Sequence, residues 1–192
     1  MDFKYDLYIS FPQNEEKSAE NSEWIKKLKD YLFFVLSRFL QKQPQILTSH
    51  DLKEDKELVD FSSREIFGAT AAFIILISPD YDKDDQFKEE LNNIFFSNTN
   101  AKFEMQNCKR MFKVLMNFLP PSLQPVQIKD LVSYNFFEFD EEEDKFNEFQ
   151  ISENGKADKR FWLKLLDLAH DVDHTIKFLN KERNTTNPEP SN

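Results

Sequence analysis

The run AAFIILIS, Ala71–Ser78, constrains the fold more than any other stretch of the chain. It is apolar and shows no alternation. A strand with one wet face alternates apolar and polar side chains with a period of two. A strand without that alternation is buried on both faces, and such strands belong to parallel sheets covered by helices above and below. The run is also too short to cross a membrane, which takes about 20 apolar residues.

The flanking segments supply the other layers. YDLYIS (Tyr5–Ser10) reads as a first strand closed off by Pro12. Ser18 to Gln43 reads as a long helix: Asn21 or Ser22 can cap it, Trp24, Leu28, Leu32, Val35 and Phe39 follow helical spacing, and Pro44 closes it. Gln45–Leu47 is a brief second strand, followed by the polar loop TSHDLKEDKE. Leu58–Phe67 reads as a short helix stopped at Gly68. After the buried strand, Asp84 to Phe96 is helical, with acid in its first turn where it favours the helix dipole. Arg110–Leu119 reads as a fourth strand and Ser133–Phe139 as a fifth, with PPSLQP as loop between them and DEEED (Asp140–Asp144) as a solvated charge run after them. A last helix spans Lys159 to Leu179. Strands alternating with helices imply an α/β fold. The expectation is a flavodoxin-like five-stranded parallel sheet of order 2-1-3-4-5, in one domain over residues 1–180. Residues 181–192, with two prolines and no apolar stripe, read as a tail or a linker to a further domain.

Composition removes several function classes. The formal net charge is -10, with no clustering of the basic residues, so neither a nucleic-acid backbone nor an anionic membrane is an expected partner. Gly68 and Gly155 are the only glycines, too few for a Walker or Rossmann phosphate loop. Cys108 is the only cysteine, which rules out a disulfide or a thiolate cluster within one chain. No signal peptide opens the sequence, and the default location is cytoplasmic.

Few groups remain for chemistry. His170 and His174 have the i, i+4 spacing of a metal pair, but Leu168, Val172 and Ile176 claim the core side of that helix, so an exposed polar face accounts for them and no metal is expected. Cys108 has no base beside it in sequence, and no G-x-S-x-G marks a serine nucleophile. The acidic stretch SPDYDKDDQFKEEL, Ser78–Leu91, follows the buried strand. In a 2-1-3-4-5 sheet the ligand crevice lies outside the carboxyl ends of strands 1 and 3, where strand order reverses. Ser10 and Phe11 end strand 1, Glu89 and Glu90 ride the helix after strand 3, and Ser49, His50 and Asp51 follow strand 2. Glu89 and Glu90 point about 100° apart on a helix. If Phe87 and Leu91 pack inward, Glu90 lies at the edge of the apolar face.

Taken in order, these segments resemble the Toll/interleukin-1 receptor (TIR) domain in its bacterial conflict-system, antiphage form. YDLYISF is similar to the family's opening strand, FSSREIFGATAAFIILISPDY to its helix and buried strand ending in Ser-Pro-x-Tyr, and QFKEEL to its Trp-Cys-x-x-Glu-Leu. FKVLMNFLPPSLQPVQIKDLVSYNFFEFD and RFWLKLLDLAHDV are similar to the later strands and the terminal helix. The resemblance implies an enzyme that cleaves or cyclises NAD, releasing nicotinamide, and that is activated by association with other TIR domains. Glu90 falls on the family's catalytic glutamate, and Phe11 on an aromatic position at the nicotinamide side. Ser10, Phe11, Ser49, His50, Asp51 and Gln86 are the candidates for the pocket, NAD being substrate and no cofactor being implied. Gln86 and Phe87 stand where the family has tryptophan and cysteine, and the loop after strand 2 lacks a glycine. Those departures support the alternative, a non-catalytic TIR module that recruits or scaffolds other TIR domains.

Overall fold

The computed structural model describes residues 3–13, 18–54, 63–99, 110–149, 151 and 157–186. In chain order the elements are β1 (Tyr5–Ser10), α1 (Ser18–Leu40), β2 (Ile46–Thr48), α2 (Asp51–Glu54), α3 (Ser63–Gly68), β3 (Thr70–Ile77), α4 (Asp85–Thr99), β4 (Met111–Leu115), β5 (Ser133–Asn135), β6 (Phe137–Asp140), β7 (Lys145–Glu148) and α5 (Lys159–Thr186). Five strands form one sheet of order β2-β1-β3-β4-β5, and every pairing is parallel. This is the doubly wound order expected from the sequence, with its switch point between β1 and β3.

The apolar run does what its lack of alternation requires. All eight residues of β3 are buried. Ala72, Ile74 and Leu76 join Leu7 and Ile9 in a core closed by Leu28, Leu32 and Leu36 of α1 and by Phe161, Leu165 and Leu168 of α5. Phe73, Ile75 and Ile77 face the other way, with Tyr8, into a core closed by Ile66 and Phe67 of α3 and Phe87, Leu91 and Ile94 of α4. Side-chain alternation thus sends one strand into two cores, one on each face.

Several boundaries differ from the sequence expectation. α1 begins at Ser18, so Asn21 and Ser22 lie within it rather than capping it. It stops at Leu40, because Gln41 turns left-handed (φ 55°). Lys42 and the Gln45 amide then both bond the buried Asp6 carboxylate, at 2.8 and 2.9 Å, which fixes the return of the chain to β2. Gly68 is the last residue of α3 rather than a left-handed stop, and a Cβ there would meet nothing within 4 Å. β4 ends at Leu115, since its partner β5 ends at Asn135.

The fifth strand divides. Phe136 is buried in the α1/α5 core and its amide still bonds the Leu115 carbonyl at 2.9 Å, whereas Phe137, buried in the other core, pairs with Glu148, so the chain leaves the sheet between them. β6 then pairs antiparallel with β7, and the charge run read as a free loop is the turn of that hairpin. Asp140 organises the turn by accepting from the amides of Glu142 and Glu143 at 3.0 and 3.2 Å. The last helix, expected to end at Leu179, runs on to Thr186 as α5, since Lys181, Glu182 and Arg183 are good helix formers. Residues 187–192, Cys108, Gly155 and residues 55–62 lie outside the described residues. No helix among the described residues is long and apolar enough to cross a membrane.

Candidate functional site

Parallel packing brings three chain segments together beyond the carboxyl ends of β1, β2 and β3. Ser10 is the last residue of β1 and is fully buried. Its side chain shares a sheet face with Tyr8, the face covered by α4, as the two-residue period dictates. Ser49 follows β2; its amide bonds the Ile9 carbonyl at 3.1 Å, which pins it beside the end of β1. Glu90 sits on α4 one turn from the buried Phe87 and next to the buried Leu91, so it is half-buried while Glu89 is exposed. The inward packing of Phe87 and Leu91 therefore selects Glu90 over Glu89.

These residues are joined by short hydrogen bonds. The Ser10 hydroxyl donates to Glu90 Oε1 at 2.5 Å, and the Ser49 hydroxyl donates to the same oxygen at 2.7 Å. The Phe11 amide in turn donates to Ser49 Oγ at 3.2 Å. One carboxylate oxygen is thus held by hydroxyls from two separate strand ends, and hydrogen bonds to an ionised acceptor are the strong ones. Beneath them is Tyr8, fully buried, its ring edge-on to Phe67 at 5.1 Å between centroids. Its hydroxyl has no aligned hydrogen-bond partner. Burial first, and then the neighbouring Glu90 charge, hold the phenol well above its ordinary pKa. Tyr8 lies near Glu90 and Ser49, yet its oxygen is aligned with neither.

Ser49, Gln86 and Glu90 form the wall between two hollows. One, of about 220 Å³, is also lined by Leu52, Ser63, Glu89 and Asn93. The other, of about 10 Å³, lies between Phe11, Gln13, Asp84 and Phe87. The smaller has room for about one water, and the larger falls below the roughly 300–1,000 Å³ of ordinary ligand pockets. Apart from Leu52, the larger hollow is lined by hydroxyl, amide and carboxylate groups, a surface that suits a polyol or a developing cation better than a phosphate.

The sequence candidates divide on this geometry. Ser10, Ser49 and Glu90 are bonded together, Gln86 lines both hollows and Phe11 the smaller one. His50 is exposed and leans on the Phe11 ring at 5.3 Å, at the mouth rather than in contact with Glu90. Asp51 is employed elsewhere: it accepts from the Thr48 amide at 2.7 Å and the Thr48 hydroxyl at 2.8 Å, and pairs with Lys29 at 3.1 Å. Thr48 and Asp51 make the reciprocal contacts of a capping box at the start of α2, which accounts for Asp51 without a ligand. The T-x-x-D spacing was the available signal. Asp84, expected at the helix start, caps α4 by accepting from the Phe87 amide at 2.9 Å and also fixes the chain after β1 through the Gln13 amide at 2.6 Å. Tyr8, Ser63 and Asn93 were missed; for Tyr8 the i, i+2 spacing to Ser10 was the signal. His170 and His174 are both exposed on α5, and among the described residues no group of three His, Cys, Asp or Glu gathers around a point.

Fold and site together define a doubly wound α/β domain with a hydroxyl-clamped carboxylate at its switch point. No family model matches the chain, and no curated protein does. Among solved structures the chain is similar to the TIR domains of the activated Roq1 resistosome, which directly recognises the pathogen effector XopQ. The identity is 18%, over 94% of this chain and 99% of that one, with a TM-score of 0.38. The fold assignment rests on the strand order and not on that likeness.

Proposed function

We propose that this chain is a TIR-domain NAD nucleosidase of a bacterial antiphage or signalling system, activated by self-association, with Glu90 as its catalytic carboxylate. The observation that carries the reading is the placement of Glu90 at the switch point with one oxygen fixed by Ser10 and Ser49. Breaking the bond between ribose and nicotinamide turns the pyridinium into neutral nicotinamide and moves its positive charge to the ribose. A carboxylate already oriented beside that carbon stabilises the charge without reorganising. Water then adds its oxygen to the ribose carbon and loses a proton, giving ADP-ribose; attack by a group within the same molecule gives a cyclic product instead. Gln86 lines the larger hollow, beside which the nicotinamide side would rest, and Phe11 lines the water-sized hollow next to it.

The hollow volumes agree with activation by assembly. An open cleft of about 220 Å³ is smaller than a dinucleotide, which supports a reading in which a neighbouring domain completes the wall. The same observation favours the second reading, a non-catalytic TIR module that only recruits other TIR domains, and the buried Phe87 at the family's cysteine position points the same way.

The test is to incubate NAD with the protein clustered on a support, beside Glu90→Gln. The expected outcome is nicotinamide release by the wild type and a loss of at least a hundredfold in the variant, the scale on which removal of one charge-stabilising group acts. Equal release by the two removes Glu90 from the role. No release from the clustered wild type, with self-association retained, selects the scaffold.

A further inference from the structure

The cleft in front of Glu90 matches only part of a dinucleotide, in charge as well as in size. It is lined by the hydroxyls of Ser49 and Ser63, the amides of Gln86 and Asn93, and the carboxylates of Glu89 and Glu90. Asp84 adds a third carboxylate in the adjoining hollow. Among the described residues no lysine or arginine lines either hollow. Of the neighbouring cations, Lys29 pairs with Asp51 at 3.1 Å and Lys88 with Asp85 at 2.6 Å. Arg64 follows Ser63 on α3 but lies outside the lining. A phosphate entering this cleft meets like charge. A pyridinium carries the charge that the two glutamates attract, and the hydroxyls of its ribose pair readily with serines and amides. The cleft of about 220 Å³ is smaller than NAD, whereas the ribosyl pyridinium is one end of that molecule and carries no phosphate.

We propose that the cleft of the single domain selects a phosphate-free, cationic N-riboside, such as nicotinamide riboside, over the dinucleotide. Its turnover rests on the reading of Glu90 as the charge-stabilising carboxylate; its selectivity rests on the lining alone. The riboside uses the cleft as it stands, while the diphosphate of NAD has to lie outside it, against a neighbouring domain. In turnover the bond from ribose C1′ to the ring nitrogen breaks with its electron pair going to nitrogen, and neutral nicotinamide leaves. Water adds its oxygen to C1′ and gives one proton to solvent, leaving free ribose. Glu90 stabilises the positive charge as it passes from ring to sugar. Glu89, exposed on α4, touches no reacting atom and acts on the approach of the cation.

The experiment offers nicotinamide riboside, its 5′-phosphate and NAD to the full chain, dispersed at low concentration, and reads equilibrium binding and nicotinamide release. The riboside is expected to bind about tenfold more tightly than NAD, with the 5′-phosphate between them, the scale of a few charge contacts in solvent. Added salt is expected to weaken the riboside and not NAD, because screening removes an attraction in one case and a repulsion in the other. Glu89→Lys reverses one exposed charge and leaves the serine clamp in place. It is expected to shift the preference toward NAD severalfold, through KM and not kcat, as the loss of an attracting field does. No riboside binding, equal or tighter binding of NAD, or a preference that Glu89→Lys leaves unmoved overturns the proposal. Nicotinamide released from NAD by the clustered chain, with none from the riboside, overturns it while leaving the NAD reading intact. Selective riboside binding in a chain that releases nicotinamide from neither substrate, dispersed or clustered, upholds the selectivity and refutes Glu90 as a catalytic carboxylate, so the two failures are distinct.

Discussion

At the scale of single residues, the acids of this site differ by what they bond. Glu90 accepts from side-chain hydroxyls of two distant segments, while Asp51 accepts from its own neighbour Thr48 three positions back. The first arrangement orients a group across the fold; the second starts a helix. Asp51→Ala is therefore expected to lower stability by about 1 kcal/mol, as loss of a helix cap does, with little added by the partly exposed Lys29 pair. Urea denaturation checks this: a lower midpoint at unchanged slope is expected, whereas an unchanged midpoint with weakened ligand binding would return Asp51 to the pocket. The separation of Glu90 from Glu89 was legible in the sequence, because Phe87 and Leu91 fix which way α4 faces. The serine clamp was not. Ser10 and Ser49 were placed near the crevice by strand order alone, and no periodicity states which hydroxyl points at which carboxylate.

At the scale of elements, patterns that repeat were readable and interruptions were not. β3 was plain because its eight residues are all buried, and α1 because its apolar stripe repeats from Trp24 to Leu40. SYNFFEF looked like one strand because its aromatic residues suit a strand; the break at Phe136 comes from Phe137 leaving the sheet to pair with Glu148 of β7, a partner that the local sequence does not announce. The end of α1 is similar. Its stop depends on Gln41 adopting a left-handed conformation (φ 55°) that its composition does not announce. That conformation costs a residue with a Cβ about 1–2 kcal/mol, against roughly 0.5–1 kcal/mol of extra chain entropy lost by glycine. Gln41→Gly is thus expected to stabilise the protein by about 0.5–1 kcal/mol, read as a higher urea midpoint; a lower midpoint would mean that the Gln41 side chain contributes contacts of its own.

At the scale of the molecule, three buried or half-buried groups set how stability answers to alkali, and they act in opposite directions. Burial first, with Glu90 next, raises the Tyr8 phenol above its ordinary 10.0, and burial with the Asp171 hydrogen bond raises Tyr134. In the unfolded chain both phenols ionise near pH 10, while in the folded protein they keep their protons. Above pH 10 the unfolded state therefore binds fewer protons, and their contribution, complete below that value, is lost as pH rises toward the folded values. Lys113 runs the other way. It is 3% exposed, held by Gln124 Oε1 at 2.9 Å and the Lys129 carbonyl at 3.0 Å, and burial lowers its pKa from the ordinary 10.5. Between its folded value and 10.5 the unfolded state binds more protons, so this group makes stability rise with pH until the unfolded lysine also loses its proton. The urea midpoint is expected to climb on approach to pH 10 and to fall beyond it. Tyr8→Phe should flatten the fall and leave the climb, and Lys113→Met should flatten the climb and leave the fall. A fall that survives in Tyr8→Phe combined with Tyr134→Phe would show that neither phenol is the group whose ionisation opens the fold.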